Sequence, residues 1–351
     1  MRKAGLGAAA VGISLILTAA PANAVVFNIS STGNAQADQG FQEAGQLWSS
    51  ILTDNITVNI TGGFQPLGPG ILGSASSSGV VLSYSSVKGA LGTDASSVDD
   101  ALGVSNLPAG SSLAFRTNDR VGNRITDNNN TGNNNFLDVN RANAKAIGLL
   151  APSTAEDAAI TFSSSFTYDF NRSNGITPGS FDFVAVAVHE IGHALGFVSG
   201  VDAVDFFSGP SGPGRNDDLN GATAGIGTLD GFAILSVLDL YRYSTESNAT
   251  GADVLDNAYG DTPFFAIDGM TNLALFSTGD FNGDGQQASH WKDNMGIGIM
   301  DPTIASGEFG VISERDRRAM DVIGYNLVVP EPSSLALLGL AGLALARRRR
   351  G

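Results

Sequence analysis

A chain of 351 residues without cysteine forms no disulfide and offers no thiolate to a metal. Its 34 acidic residues outnumber 19 basic ones, for a net charge of −15, which argues against nucleic acid or anionic lipid as partners and suits cation binding. Charged residues reach only 15% and glycines number 45, so a loop-rich fold with scattered strands and a few helices is expected.

The chain opens with Arg2 and Lys3, an apolar run from Ala8 to Ala20, and then Pro21-Ala22-Asn23-Ala24. A basic start, a short apolar segment and a small-x-small end read as a secretory signal spanning 1–24, so the protein is expected to be exported. From Asp38 to Leu52, Phe41, Ala44, Leu47, Trp48, Ile51 and Leu52 recur at helical spacing, with Asp38 as the expected cap. Ile56, Val58 and Ile60 alternate with polar residues and predict a strand ending at Gly62-Gly63. A short strand at Val80–Leu82 and helices near 86–91 and 96–102 follow. Arg116 to Asn135 is polar and Asn-rich without apolar periodicity, which predicts a solvated, mobile loop. That loop is a candidate subdomain boundary between 25–135, expected as the N-terminal part of the same unit or a removable propeptide, and 136–327, which holds the central motif. A helix over Arg141–Leu150 and two strand-like runs, Ala158–Phe162 and Phe166–Phe170, complete the approach to the central motif.

Val184 to Phe197 reads VAVAVHEIGHALGF and contains His189, Glu190 and His193 as H-E-x-x-H. The VAVAV alternation alone would fit a strand. On a helix, however, residues four apart share a face, so both imidazoles can aim at one point, and that is half of a tetrahedral zinc site. Glu190 is offset around the helix but near enough for its carboxylate to deprotonate an attacking water. Ser180 and Asp182 offer caps at the start, and Gly196 suits a helix end that needs positive φ. An apolar helix-like run from Phe232 to Tyr241, a strand at Phe264–Ile267 and a terminal helix within Ser313–Tyr325 are expected downstream.

Hydrolytic zinc sites use three protein ligands, and position 199, where the extended motif would place a histidine, is Ser. His290 is the only histidine left; Asp202 is a competing oxygen ligand, and an ordinary surface histidine at 290 stays open. His189, Glu190, His193, Gly196, a long insertion, His290-Trp291 and a Met300-x-Pro302 turn together resemble the metzincin zinc peptidases, in the leishmanolysin-like arrangement. That resemblance implies an α+β fold, with an upper mixed sheet carrying the zinc helix and an irregular lower part ending in a helix. It also implies His290 as third zinc ligand, Met300 as the floor beneath the ligands, and a peptide substrate. Tyr241, Tyr243 and Tyr325 are candidates, without positional support, for a second oxyanion donor.

Asp280, Asn282, Asp284 and Gly285 fit the first half of an oxygen-lined Ca2+ loop, but position twelve is Trp291 where the pattern wants glutamate. A plain turn fits equally well.

The end of the chain, from residue 328 to 351, combines Pro330-Glu331-Pro332, an apolar stretch over 335–346 and Arg347 to Arg350. The apolar stretch falls short of the ~20 residues that comfortably span a bilayer. This tail resembles the PEP-CTERM sorting signals of Gram-negative bacteria, which implies transient membrane association through 335–346, removal by an exosortase and a cell-surface or extracellular destination. With both ends removed, 13 basic residues face 33 acidic ones, a net charge of −20. The expectation is a secreted zinc metalloendopeptidase. The competing classes are a non-catalytic, metal-stabilised surface or matrix protein and a calcium-stabilised adhesin.

Overall fold

The computed structural model describes residues 24–214 and 229–328. The signal segment before Ala24, part of the Gly-rich stretch at 208–227, and the tail beyond 328 lie outside the described residues. The fold is mixed α+β, with five small sheets and nine α-helices among those residues.

The largest sheet has four strands in the order Val26–Ile29, Thr57–Gln65, Ala158–Ser163 and Gly73–Ser77. The first three run parallel, with Val26 beside Thr57 and Ile60 beside Ala158. The fourth, Gly73–Ser77, is antiparallel and ends the sheet, with Gly73 beside Phe162. The Thr57–Gln65 strand runs on through Gly62 and Gly63, beyond the end expected for it.

Phe183–Leu195 is a helix, and the alternation in VAVAV misleads because the segment is buried on nearly every side. A helix enclosed by protein need not show an amphipathic stripe. Asp182 caps it, accepting from the Ala185 amide at 3.1 Å and pairing with Arg172 at 2.9 Å. Gly196 closes it with φ +119, a conformation that a Cβ would strain. Helix Ala35–Ser49 packs along it, and the buried Trp48 indole donates to the Val188 carbonyl at 3.0 Å. Phe41, Phe162 and Phe183 join this pair to the sheet, with ring centroids 4.9 and 4.7 Å apart.

The Asn34 side chain, not Asp38, caps the first helix, accepting from the Gln36 and Ala37 amides. Asp38 serves the preceding turn, where the Ser31 and Thr32 hydroxyls and the Thr32 amide hold its carboxyl below the usual range. The run from Phe232 to Tyr241 forms only a 3-10 turn at Leu238–Tyr241, where Asp239 accepts from the Ser199 hydroxyl and the Ser236 hydroxyl donates to the Val198 carbonyl. Of Phe166–Phe170 only Tyr168–Asp169 pairs, parallel to Phe181–Asp182.

The Asn-rich stretch is not a loop throughout. Ala114–Asn118 pairs antiparallel with Arg124–Asp127 and parallel with Val254–Asp256, tying the N-terminal part to residues far downstream. Asn133 and Asn134 are fully buried: one donates to Asp127 at 2.9 Å, the other to the Leu113 carbonyl at 2.9 Å. Short amide side chains stand in for backbone partners here, a role that apolar periodicity cannot register.

The terminal helix, Glu314–Val322, begins at a Ser313/Asp316 capping box. Its Asp321 is 3% exposed and accepts from the Ser97 hydroxyl at 2.6 Å. Burial pushes its pKa up to about 7, with the nearby Asp100 and Asp99 charges adding to the effect. The folded protein therefore holds that proton more tightly than the unfolded chain, and stability falls as pH rises from about 4 through 7. Asp321→Asn removes this dependence. Its advantage over wild type should grow across that window and level off at on the order of 4 kcal/mol by about pH 8. Thermal melting at a series of pH values checks it; a difference that does not change with pH would contradict the assignment.

Candidate metal centre

His189 and His193 project from adjacent turns of the Phe183–Leu195 helix, and His290 arrives from a segment 97 positions beyond His193. Their Nε2 atoms form a triangle with sides of 3.0, 3.2 and 3.2 Å. Each Nδ1 faces a backbone carbonyl: Ile299 at 2.8 Å for His189, Phe197 at 2.7 Å for His193 and Gln287 at 3.1 Å for His290. A carbonyl can only accept, so the ring proton is assigned to Nδ1 in all three. Three Nε2 lone pairs then converge with no proton between them, an arrangement that is repulsive unless a cation lies among them. For nitrogens about 2.0–2.1 Å from a tetrahedral ion, neighbouring ligands stand roughly 3.3 Å apart, close to the spacings here. Burial lowers the pKa of all three imidazoles, His193 to about 3, and so keeps them neutral and able to ligate. The donor set fits Zn2+.

Glu190 lies on the same helix, 5% exposed, with its carboxylate accepting from the Ala75 amide. Burial pushes its pKa up to about 8 in the metal-free protein, while the Ala75 hydrogen bond opposes the rise. The edge strand Gly73–Ser77 passes so close that a Cβ on Gly73 would stand 2.5 Å from Glu190 Oε1. Met300 is fully buried beneath the helix, its sulfur against Gly192, where any side chain would collide with it. Because the Ile299 carbonyl receives His189, the turn at Gly298–Asp301 also orients a ligand.

Several supporting residues carry no local sequence signal. Asp316 accepts from the amides of Ile299 at 2.8 Å, Met300 at 3.3 Å and Ser313 at 2.7 Å, and from the Trp291 indole at 2.8 Å. It thereby ties the methionine turn and the neighbour of His290 to the terminal helix. The S-x-x-D spacing at 313–316 could have marked the cap, but nothing local marks these long-range contacts.

Asp202 does not join the imidazoles. Its carboxylate accepts from the Ala288 amide at 2.6 Å, the Ser289 amide at 3.2 Å and the Ser289 hydroxyl, and so braces the approach to His290. Among the described residues, His189, His193 and His290 form the one group of three such side chains with ligand atoms within 4.8 Å of one another. In the half-matching calcium loop, Asn282 turns its amide nitrogen to Asp205 at 3.0 Å, and Asp284 pairs with Lys292. Asp280 is exposed and lines the cleft. Asp205 also accepts from the Phe281 and Asn282 amides at 2.8 Å, so a buried carboxylate sits where the loop backbone converges. Of the tyrosines, Tyr325 donates to the Leu195 carbonyl at 2.8 Å and Tyr241 and Tyr243 are buried; none lines the cleft.

That cleft, about 1180 Å3, runs between the edge strand and the 294–313 segment, with the three histidines and Glu190 on its wall.

Comparison with known families adds one observation, confined to the end of the chain: residues 328–350 match the PEP-CTERM protein-sorting motif. The tail is a sorting signal. It marks an exported protein sorted to the cell surface or beyond it, and implies recognition by an exosortase-type processing enzyme. No curated protein and no solved structure matches the chain. No described helix is long and apolar enough to cross a membrane, and the apolar stretch at 335–346 lies outside the described residues.

Proposed function

We propose that the protein is a secreted zinc-dependent metalloendopeptidase of the metzincin type. The observation that carries this reading is the convergence of three unprotonated Nε2 atoms beside a buried carboxylate, at the open edge of a sheet. A zinc ion held by His189, His193 and His290 supplies Lewis acidity to a scissile carbonyl and acidity to water. Glu190 accepts the proton of the attacking water and returns it to the leaving amine. Among the described residues the Gly73–Ser77 strand has a partner strand on one side only, so an extended peptide can add to its other side and lie across Glu190. Met300 and Asp316 hold the turn that fixes the His189 ring. The antiparallel edge strand, the enclosed motif helix and the irregular lower part ending in Glu314–Val322 fit the fold that the family resemblance implies.

A purely structural zinc site has no use for a buried carboxylate beside the ligands, which sets the non-catalytic alternative second. Metal removal separates the two. Dialysis against a chelator should abolish casein hydrolysis by residues 25–327, and one equivalent of Zn2+ should restore it. Protein that binds zinc and melts at a higher temperature with it, yet never cleaves casein, would support the structural alternative instead.

A further inference from the structure

His290 must be delivered to the motif helix across a long intervening segment, and a buried charged hub sits where that delivery is made. The Ala288 peptide is gripped from both sides: its amide donates to Asp202 at 2.6 Å, and its carbonyl accepts from Arg242 Nη1 at 3.4 Å. Arg242 Nη2 donates at 2.9 Å to the Ser277 carbonyl, and the Ser277 amide donates at 3.0 Å to the His290 carbonyl. One guanidinium therefore joins the two ends of the loop that leaves at Ser277 and returns at His290. It lies 4.8 Å from the Phe276 ring centroid, and Phe276 stacks on Trp291 at 4.9 Å. Arg242 is 1% exposed, and the charges of Asp256, Asp239, Asp202 and Asp284 face it. Asp239 accepts from the Ser199 hydroxyl at 2.6 Å and the Gly200 amide at 2.7 Å, just beyond the end of the motif helix. The hub thus connects the exit of the helix bearing two imidazoles to the segment bearing the third.

Burying a guanidinium is costly, and an apolar side chain of like volume fills such a space at least as well for stability alone. What an apolar residue cannot do is address two carbonyls on separate segments, at Ser277 and Ala288, with one rigid, planar fork. The geometry points to Arg242, acting with Asp202, as a positioning residue that sets the third imidazole against the other two. This inference rests on the metal-centre reading above. The chain from Arg242 to the ligand is short: Arg242 holds Ser277 and Ala288, and these hold the backbone on either side of the His290 ring.

Arg242→Lys keeps the charge but not the fork, and in the full-length protein it tests the assignment. Four properties are measured: zinc affinity by competition with a chromophoric chelator, the visible absorption of the Co2+-substituted protein, kcat and KM for casein hydrolysis, and melting without metal, which shows that the variant is folded. The expected result is zinc binding about 10- to 100-fold weaker than wild type, the range for loss of an outer-shell partner. The Co2+ bands should shift in the same variant, and kcat should fall by a larger factor than KM changes. Asp202→Asn, which weakens the other half of the grip, should displace the same Co2+ bands and carries the test if Arg242→Lys does not fold. Wild-type affinity and wild-type Co2+ bands in a folded variant would overturn the assignment while leaving the metal centre intact. Wild-type protein that takes up neither Zn2+ nor Co2+ would overturn both.

Discussion

Glu190→Gln should leave zinc content at the wild-type level and lower casein hydrolysis by about 10^2- to 10^4-fold, the usual contribution of a positioned general base. The amide preserves the shape of the carboxylate, can still accept from the Ala75 N–H, and fits the space left by Gly73. It cannot take a proton from water. Stability should rise or hold, because a buried carboxylate without a paired cation opposes folding once it ionises, and the metal-free group titrates near 8. Hydrolysis at the wild-type rate by a zinc-loaded Glu190→Gln protein would remove Glu190 from the reaction.

His290→Ala is expected to do the reverse, losing the metal first and activity as a consequence. His189 and His193 remain on their helix with their Nδ1 atoms held by Ile299 and Phe197, but two imidazoles bind zinc weakly. The affinity loss should exceed the roughly 100-fold that removal of an outer-shell partner costs. Hydrolysis should fall to background at zinc concentrations that saturate the wild type. Melting of the metal-free protein should change little or increase, since removing one of three mutually facing imidazoles relieves lone-pair repulsion. Equal zinc affinity in the variant would show that another donor completes the set.

The two predictions draw on parts of the site that differ in how they were written into the chain. His189, Glu190 and His193 are local: four residues make one helical turn, so the spacing itself places both rings on one face, and Gly196 marks where the helix stops. His290 is not local. Its place beside the other two follows only from the want of a further histidine and from the methionine turn that comes after it. The supports are less legible still. Asp202, in sequence a competing alternative to His290 as third ligand, is a brace in the fold, because both its oxygens are taken by Ala288 and Ser289. Arg242, Asp239 and Asp316 act through contacts between segments that no periodicity records. The Asn-rich stretch misled for the same reason: Asn133 and Asn134 satisfy buried backbone and carboxylate groups, so a polar sequence folds inside. Where burial is apolar and regular, as at Phe41, Trp48 and the Ile56–Ile60 alternation, the elements could be read nearly in full, whereas the edge strand Gly73–Ser77, which reads GSASS, shows no such pattern. Where buried polar groups do the holding, partners are named only by the three-dimensional arrangement.

Three imidazoles converging on one divalent ion leave a distinct spectroscopic signature. X-ray absorption at the zinc edge, recorded on purified protein carrying one equivalent of zinc, reads it. Three nitrogen neighbours of imidazole type at about 2.0–2.1 Å, with one oxygen completing the shell, are expected. A shell with two imidazoles, or a protein that retains no zinc, would contradict it.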